Sequence, residues 1–336
     1  MKKSRLGNIA FLVIYIIIIL IAAEFIFRWM LFGNSKVFEF LREPSYYSNY
    51  IRQEFEDFHD ENYWKLNYIF RRKFRNEEPH PLLGWTGYFD KKTLVHNESD
   101  NIGNKRPVLL YGNSFAMCKQ QVKCFEEILN KDKDFTRGHY LLNYGVGGYG
   151  VDQIYLLLNE TADMYNNPFI IFGLLTTNMD RCMLSVRDAQ KPYFVITDSG
   201  LKLQGVPITM GSSEYFMKNR PEIRSYLFNK FRNSPLNPFG HSKKKTKDYI
   251  EKTKLLNTGI LNEVIKKLKE SEIEYVVLLF QPVDHYGRRD WRLNFLREYF
   301  HNNEVPYICD LDLRKADTSF TTYDLSNYTI PGDGHP

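Results

Sequence analysis

The chain has 336 residues, with 45 Lys and Arg against 40 Asp and Glu, for a formal net charge of +5. Its 43% hydrophobic and 25% charged content is that of an ordinary globular protein, which excludes wholesale disorder, collagen and a coiled coil and leaves room for one or two domains. So small a charge supplies no concentrated basic face for nucleic acid, and four cysteines without ligand spacing make neither a disulfide scaffold nor a zinc site.

Lys2, Lys3 and Arg5 precede an apolar run over residues 9–23; Glu24 interrupts it, and residues 25–32 resume it with Arg28 as the one charge. At about 1.5 Å per residue, roughly 20 residues cross a hydrocarbon core of about 30 Å. Residues 9–30 meet that length with Glu24 and Arg28 near the far interface, where their spacing of four lets them pair on one helix face. Trp29 then suits the interfacial belt. The basic cluster ahead of the span keeps the N-terminus in the cytoplasm and places everything after about residue 32 outside the cell membrane. The alternative is a signal peptide cut near Ala22 and Ala23; the apolar character that continues past them favours an uncleaved anchor. A buried helix of a soluble domain is disfavoured, because residues 16–19 are apolar all round.

The sequence therefore divides into a cytoplasmic stub and anchor (1–33), a helical or irregular stalk (34–80) and a main domain (81–336). In the stalk, Arg71, Arg72, Lys73 and Arg75 form a solvated basic face. In the main domain, short, nearly unbroken apolar runs fall at 108–111, 140–144, 169–175, 275–280 and 307–309. Such runs suit strands buried on both faces, as in parallel sheets. Helices are expected over 114–129, 151–165, 246–270 and 290–301, the second with Ile154, Leu157 and Leu158 on one stripe and the third with Leu261, Val264, Ile265 and Leu268 facing inward. Alternating strands and helices predict a three-layer α/β domain with a parallel sheet. Residues 181–245, rich in Pro, Gly and basic side chains, break the rhythm and read as an insertion, a candidate lid in which Lys243, Lys244 and Lys245 lie in a solvated loop. Cys118 and Cys124, six apart on one expected helix, face opposite ways and are not expected to bond; Cys182 and Cys309 can pair only if the insertion reaches the fifth strand.

Open α/β sheets bind ligands beyond the carboxyl ends of their strands, and four features fall there. Ser114, in Tyr-Gly-Asn-Ser-Phe after the first strand, sits where a turn enters a helix, as a nucleophile beside a helix N-terminus or simply as its cap. Four glycines within residues 145–150 follow the second strand; they provide positive φ or close backbone approach, including a backbone donor for an oxyanion at Gly148, and they do not match a dinucleotide fingerprint. Asn178 follows the third strand, where its side-chain N–H is a second candidate oxyanion donor or simply part of a loop or cap. Asp333 and His335 share one short loop, a carboxylate that orients an imidazole of near-neutral pKa.

Together these features resemble the SGNH/GDSL hydrolase superfamily, in its bacterial membrane-anchored branch, over roughly residues 80–336. Ser114 matches the block I nucleophile, Gly148 the block II glycine, Asn178 the block III asparagine, and Asp333 and His335 the block V acid and base. Pro79, Pro81, Leu82 and Gly84 resemble the lead-in of that branch. Asn113 stands where the family usually has Asp, and Asp333 lies two residues before His335 rather than three, a spacing similar to that of polysaccharide O-acetyltransferases. Relatives usually continue with an Asn and a closing helix where this sequence stops at Pro336, as a fragment or with an unusual end. The resemblance implies a flavodoxin-like α/β/α fold with a five-stranded parallel sheet, and acyl transfer through an acyl-serine. The oxyanion donors are the backbone N–H groups of Ser114 and Gly148 and the Asn178 side chain. No cofactor or metal is implied. The expected substrate is an acylated, most naturally O-acetylated, carbohydrate of the cell envelope. The alternatives are an O-acetyltransferase, a lipase or thioesterase of the same fold, and a non-catalytic glycan- or partner-binding protein.

Overall fold

A computed structural model describes residues 2–48, 60–71, 78–117, 123–233, 243–282, 285 and 290–316. In chain order the elements are α1 (Lys2–Phe32), two 3₁₀ turns (Lys36–Leu41 and Pro44–Tyr46), α2 (Glu61–Arg71), β1 (Arg106–Gly112), α3 (Phe125–Leu129), β2 (His139–Gly145), α4 (Val151–Thr161), β3 (Phe169–Leu175) and α5 (Asn178–Arg181). There follow β4 (Tyr193–Thr197), β5 (Gly200–Gln204), α6 (Ser212–Lys218), α7 (Tyr226–Arg232), α8 (Lys243–Glu270), β6 (Glu274–Phe280), α9 (Trp291–Asn302), β7 (Tyr307–Cys309) and α10 (Asp310–Ala316). The chain separates into two compact units, one of residues 1–52, 57–74 and 216–242, the other of 53–56, 75–215 and 243–336.

The first unit grows from the end of α1. Residues 7–32 of this helix, 26 in all, are long and apolar enough to cross a membrane, and the side chains from Ile9 to Ile21 are exposed. Glu24 and Arg28 pair at 2.7 Å, as their spacing predicts. Both also reach about 200 residues along the chain. The Glu24 carboxylate accepts from Ser225 Oγ (2.8 Å) and from the backbone N–H groups of Tyr226 (2.9 Å) and Leu227 (3.1 Å), so it caps α7. Arg28 donates to the carbonyl of Arg224 at 2.8 Å. Above this polar tie Leu31, Leu41, Tyr47, Leu66, Ile223 and Tyr226 form a small core. Within 34–80 the described residues thus contribute core side chains as well as α2; of the basic face expected there, only Arg71 is among them, exposed and 4.0 Å from Glu43.

The second unit is α/β with a five-stranded, all-parallel sheet in the order β2-β1-β3-β6-β7. Its strands fall on the five apolar runs. In β1 alternate side chains face opposite ways: Leu109 and Tyr111 enter the main core with Leu142, Ile154, Leu157, Leu158, Ile170 and Phe172, while Val108 and Leu110 pack with Leu141 and Ala116. Burial on both faces is why this strand reads as unbroken apolar sequence. The expected stripes of α4 and α8 are buried, with Ile265 only partly so. The inserted region adds a second, antiparallel sheet, the β4–β5 hairpin, which sets Phe194 against Tyr155 of α4 with rings 6.0 Å apart.

The expected helix over 114–129 is not formed as such: residues 114–116 are turn and 117 is a bend, and among the described residues of this range helix occurs only at Phe125–Leu129. The cysteine reading built on that helix changes with it. Cys124 precedes α3 and is disulfide-bonded, whereas Cys182 and Cys309 are buried free thiols; Cys118 lies outside the described residues.

The lead-in to β1 is pinned by two histidines. His80 Nδ1 accepts from the N–H groups of Leu82 (3.2 Å) and Leu83 (3.1 Å). His96 Nδ1 accepts from Glu98 N (3.2 Å), which leaves its Nε2–H to donate to the Asn143 carbonyl (3.1 Å). This tautomer is neutral, and burial holds the imidazole below its ordinary value. The unfolded chain therefore binds more protons than the folded one once the pH falls below about 6.5, so His96 lowers stability progressively from there down to its folded pKa. The unfolding temperature is expected to drop between about pH 7.5 and 5.5, and His96→Gln to flatten that dependence, as followed by circular dichroism.

Candidate active site

The carboxyl ends of β1, β2 and β3 lie on one edge of the sheet, because the strands are parallel. Connections leave β1 toward β2 on one side and reach β3 on the other, which makes this edge a topological switch point. Three of the five sequence-predicted site residues sit here.

Ser114 is half-buried at the apex of a turn built by Asn113. Asn113 is fully buried; its Oδ1 accepts from Phe115 N at 2.9 Å, and its carbonyl accepts from Ala116 N (3.1 Å) and Met117 N (2.9 Å). This Asx turn competes with helix formation, which explains why no regular helix starts at Ser114. A helix dipole is therefore not what the serine meets. The turn instead folds back onto the end of β2, where a Cβ at Gly145 would lie 2.4 Å from Met117 N, so only glycine admits the approach. Asn143 clamps the same turn from below, its Nδ2 donating to the Ala116 carbonyl (2.7 Å) and to Glu126 (2.8 Å).

The glycine turn after β2 passes beside the serine. Its first backbone link is Val146 N to the Gly112 carbonyl at 3.0 Å. A Cβ at Gly147 would be 4.0 Å from Ser114 Cβ, so Gly147 is a neighbour of the serine that the motif reading did not single out. Gly148 has φ +89°, and a Cβ there would be 2.5 Å from Arg187 Nη1 and 2.6 Å from Asp188 Oδ2. The left-handed backbone demands glycine at 148, and a side chain there would also have to displace the ends of Arg187 and Asp188. Trp85 covers the turn, donating from Nε1 to the Gly147 carbonyl at 3.0 Å.

Asn178 begins α5 at the end of β3 and is fully buried. Its Oδ1 accepts from Leu175 N at 2.7 Å, and its Nδ2 donates to the Tyr149 carbonyl, which also accepts from Arg181 Nη1 at 3.0 Å. Asn178 thereby links the third strand to the glycine turn, with one of its two amide hydrogens engaged in doing so. Asp333 and His335 lie outside the described residues.

Buried charge surrounds this edge. Asp152, in the first turn of α4, and Lys191 are both fully buried and bonded to each other; Lys191 also donates to the carbonyls of Leu184 (3.0 Å) and Pro192 (2.8 Å). Burial pushes the Asp152 carboxyl up, against the pull of Lys191. Burial also lowers the Arg181 guanidinium to about 9, with Arg187 adding to the effect, and raises Asp180 to about 7. Asp180 accepts from Tyr249 OH (2.5 Å) and Arg292 Nε (2.6 Å). Beyond β6, His285 Nδ1 lies 3.5 Å from Asp290 Oδ2, both residues buried. The sequence signals for this second Asp–His pair are a histidine soon after a strand end and an aspartate capping α9, each too common to carry a role alone. Among the described residues no group of three or more His, Cys, Asp and Glu is placed to hold a metal ion.

Comparison with protein-family models and with curated proteins finds no match.

Lys191→Met leaves the Asp152 carboxylate buried without its cation, and is expected to cost about 3–5 kcal/mol of stability. Adding Asp152→Asn should recover a large part of that loss, as measured by denaturant unfolding of the single and double variants.

Proposed function

We propose that this chain is a membrane-anchored serine esterase of SGNH/GDSL type, acting on small acyl esters, above all O-acetyl, of cell-envelope carbohydrate. The observation that carries the reading is Ser114 on a tight turn at the switch point of a parallel sheet, with the glycine turn of β2 packed against it. The strand order β2-β1-β3-β6-β7 is that of flavodoxin-like doubly wound sheets, which supports a three-layer arrangement.

In the proposed reaction His335 accepts the Ser114 Oγ proton as the oxygen attacks the acyl carbonyl, while Asp333 orients the imidazole. Backbone N–H groups of Ser114 and of the glycine turn at Gly148, with the remaining amide hydrogen of Asn178, stabilise the tetrahedral oxyanion. His335 then returns the proton to the departing sugar oxygen. Water deacylates the serine in an esterase; a second sugar hydroxyl does so in an O-acyltransferase. No cofactor takes part. Lys2, Lys3 and Arg5 ahead of the span favour a cytoplasmic N-terminus and an extracytoplasmic catalytic domain, and the disulfide at Cys124 suits an oxidising compartment.

A fluorophosphonate probe is expected to label the full chain in membranes, and labelling should vanish in Ser114→Ala. His335→Ala should abolish it as well, whereas His285→Gln, folded by circular dichroism, should keep it; the opposite result would assign the base to His285. A folded wild-type protein that takes no label would leave a glycan- or partner-binding module in place of the enzyme.

A further inference from the structure

The reading of residues 7–32 as a membrane span leaves α7 unexplained. This helix belongs to the insertion, yet it is tied to α1 through Glu24 and Arg28. From Gly7 to Glu24 the helix rises about 26 Å, slightly less than a hydrocarbon core of about 30 Å. Glu24 therefore lies at the edge of the hydrocarbon, and the helix it caps lies at the same depth.

The two sides of α7 differ in kind. On the inner side Tyr226 is buried, Asn229 donates to the Tyr47 carbonyl (3.0 Å), and Asn233, just past the helix, donates to the carbonyls of Tyr46 (3.1 Å) and Ser48 (2.7 Å). On the outer side Phe228 and Phe231, three residues apart, are 62% and 63% exposed. The 3₁₀ turn Lys36–Leu41 repeats the pattern with Val37 and Phe40, 73% and 69% exposed, and Trp29 of α1 is 71% exposed. Large apolar side chains gathered at the end of an apolar span are costly in water and favourable in the headgroup and upper acyl region. The segment from 216 to 233 also carries Lys218, Arg220, Arg224, Lys230 and Arg232 against Glu222 alone, which suits anionic headgroups.

We propose that α7 and the Lys36–Leu41 turn form an interfacial platform, seated through Phe228, Phe231, Val37 and Phe40 in the phospholipid leaflet from which α1 emerges. The occupant of this apolar face is the lipid surface itself, continuous with the surface that α1 already meets. The proposal rests on the span and is independent of the enzymatic reading.

The test uses the full chain in vesicles of phosphatidylcholine and phosphatidylglycerol. An environment-sensitive fluorophore is attached at Phe228→Cys, Phe231→Cys or, as a reference, Ile17→Cys; Cys182 and Cys309 are buried and Cys124 is bonded, so the unsubstituted protein supplies the background. Labels at 228 and 231 are expected to show blue-shifted emission that is lost to lipids bearing a nitroxide near the headgroup. The label at 17 should be quenched by a nitroxide deep in the acyl chain. Deep quenching at 17 with water-like emission at 228 and 231 would overturn the platform and leave the span. A blue shift at 228 and 231 without lipid quenching would overturn it in favour of a protein cover, such as a second copy of the chain. No lipid quenching at 17 would overturn span and platform together.

Discussion

A buried carboxylate and a buried ammonium underlie the geometry of the candidate site. Asp152 stands in the first turn of α4, and Lys191 reaches it from the chain that follows α5. Removing both charges from water is expensive, and the arrangement is tolerable only because Lys191 finds two further carbonyls and Asp152 Oδ1 accepts from Gln153 N at 2.8 Å. Three consequences follow for the glycine turn. A Cβ at Gly150 would meet Asp152 Oδ1 at 2.6 Å, so the turn must approach as bare backbone. Gln153, the next residue, donates to the Leu83 carbonyl at 2.9 Å and so ties the lead-in segment to the same helix end. The chain entering Lys191 also carries Arg187 and Asp188, which flank Gly148. The loop that presents backbone to Ser114 is thus fixed by an interaction in which the serine has no part.

What could be read from the sequence was whatever the chain encodes locally. The strands β1, β2 and β3 are short apolar runs because both their faces are covered, and the α8 stripe follows from helical spacing alone. The Glu24–Arg28 pair was legible because a spacing of four puts the two on one face. Positions of Ser114, the glycines and Asn178 were legible because each follows a strand end.

Long-range contacts were not legible in this way. Nothing near Asp152 announces Lys191, 39 residues on, and nothing near Ser225 announces that its helix is capped from residue 24. The helix expected from 114 failed for a reason also hidden in the third dimension: Asn113 spends its side chain on the turn, and Gly145 and Asn143 of the neighbouring strand draw that turn away from a helical path. Tertiary packing here overrides the local preference of the segment after the strand.

The first unit carries an implication for how the protein is made. Its core joins side chains of residues 31, 41 and 66 to those of 223 and 226, and the partners of Glu24 lie 201 to 203 residues downstream. At ribosomal speeds of about 5–20 residues per second, α1 waits roughly 10–40 seconds before those partners exist. Throughout that interval Glu24 and Arg28 have only each other among the partners they hold in the finished fold. The nascent α1 therefore begins as a helix with an isolated charge pair near its end. It acquires its final collar only after the strands β1, β2 and β3 have been synthesised, so assembly around α1 is a late event for an N-terminal element.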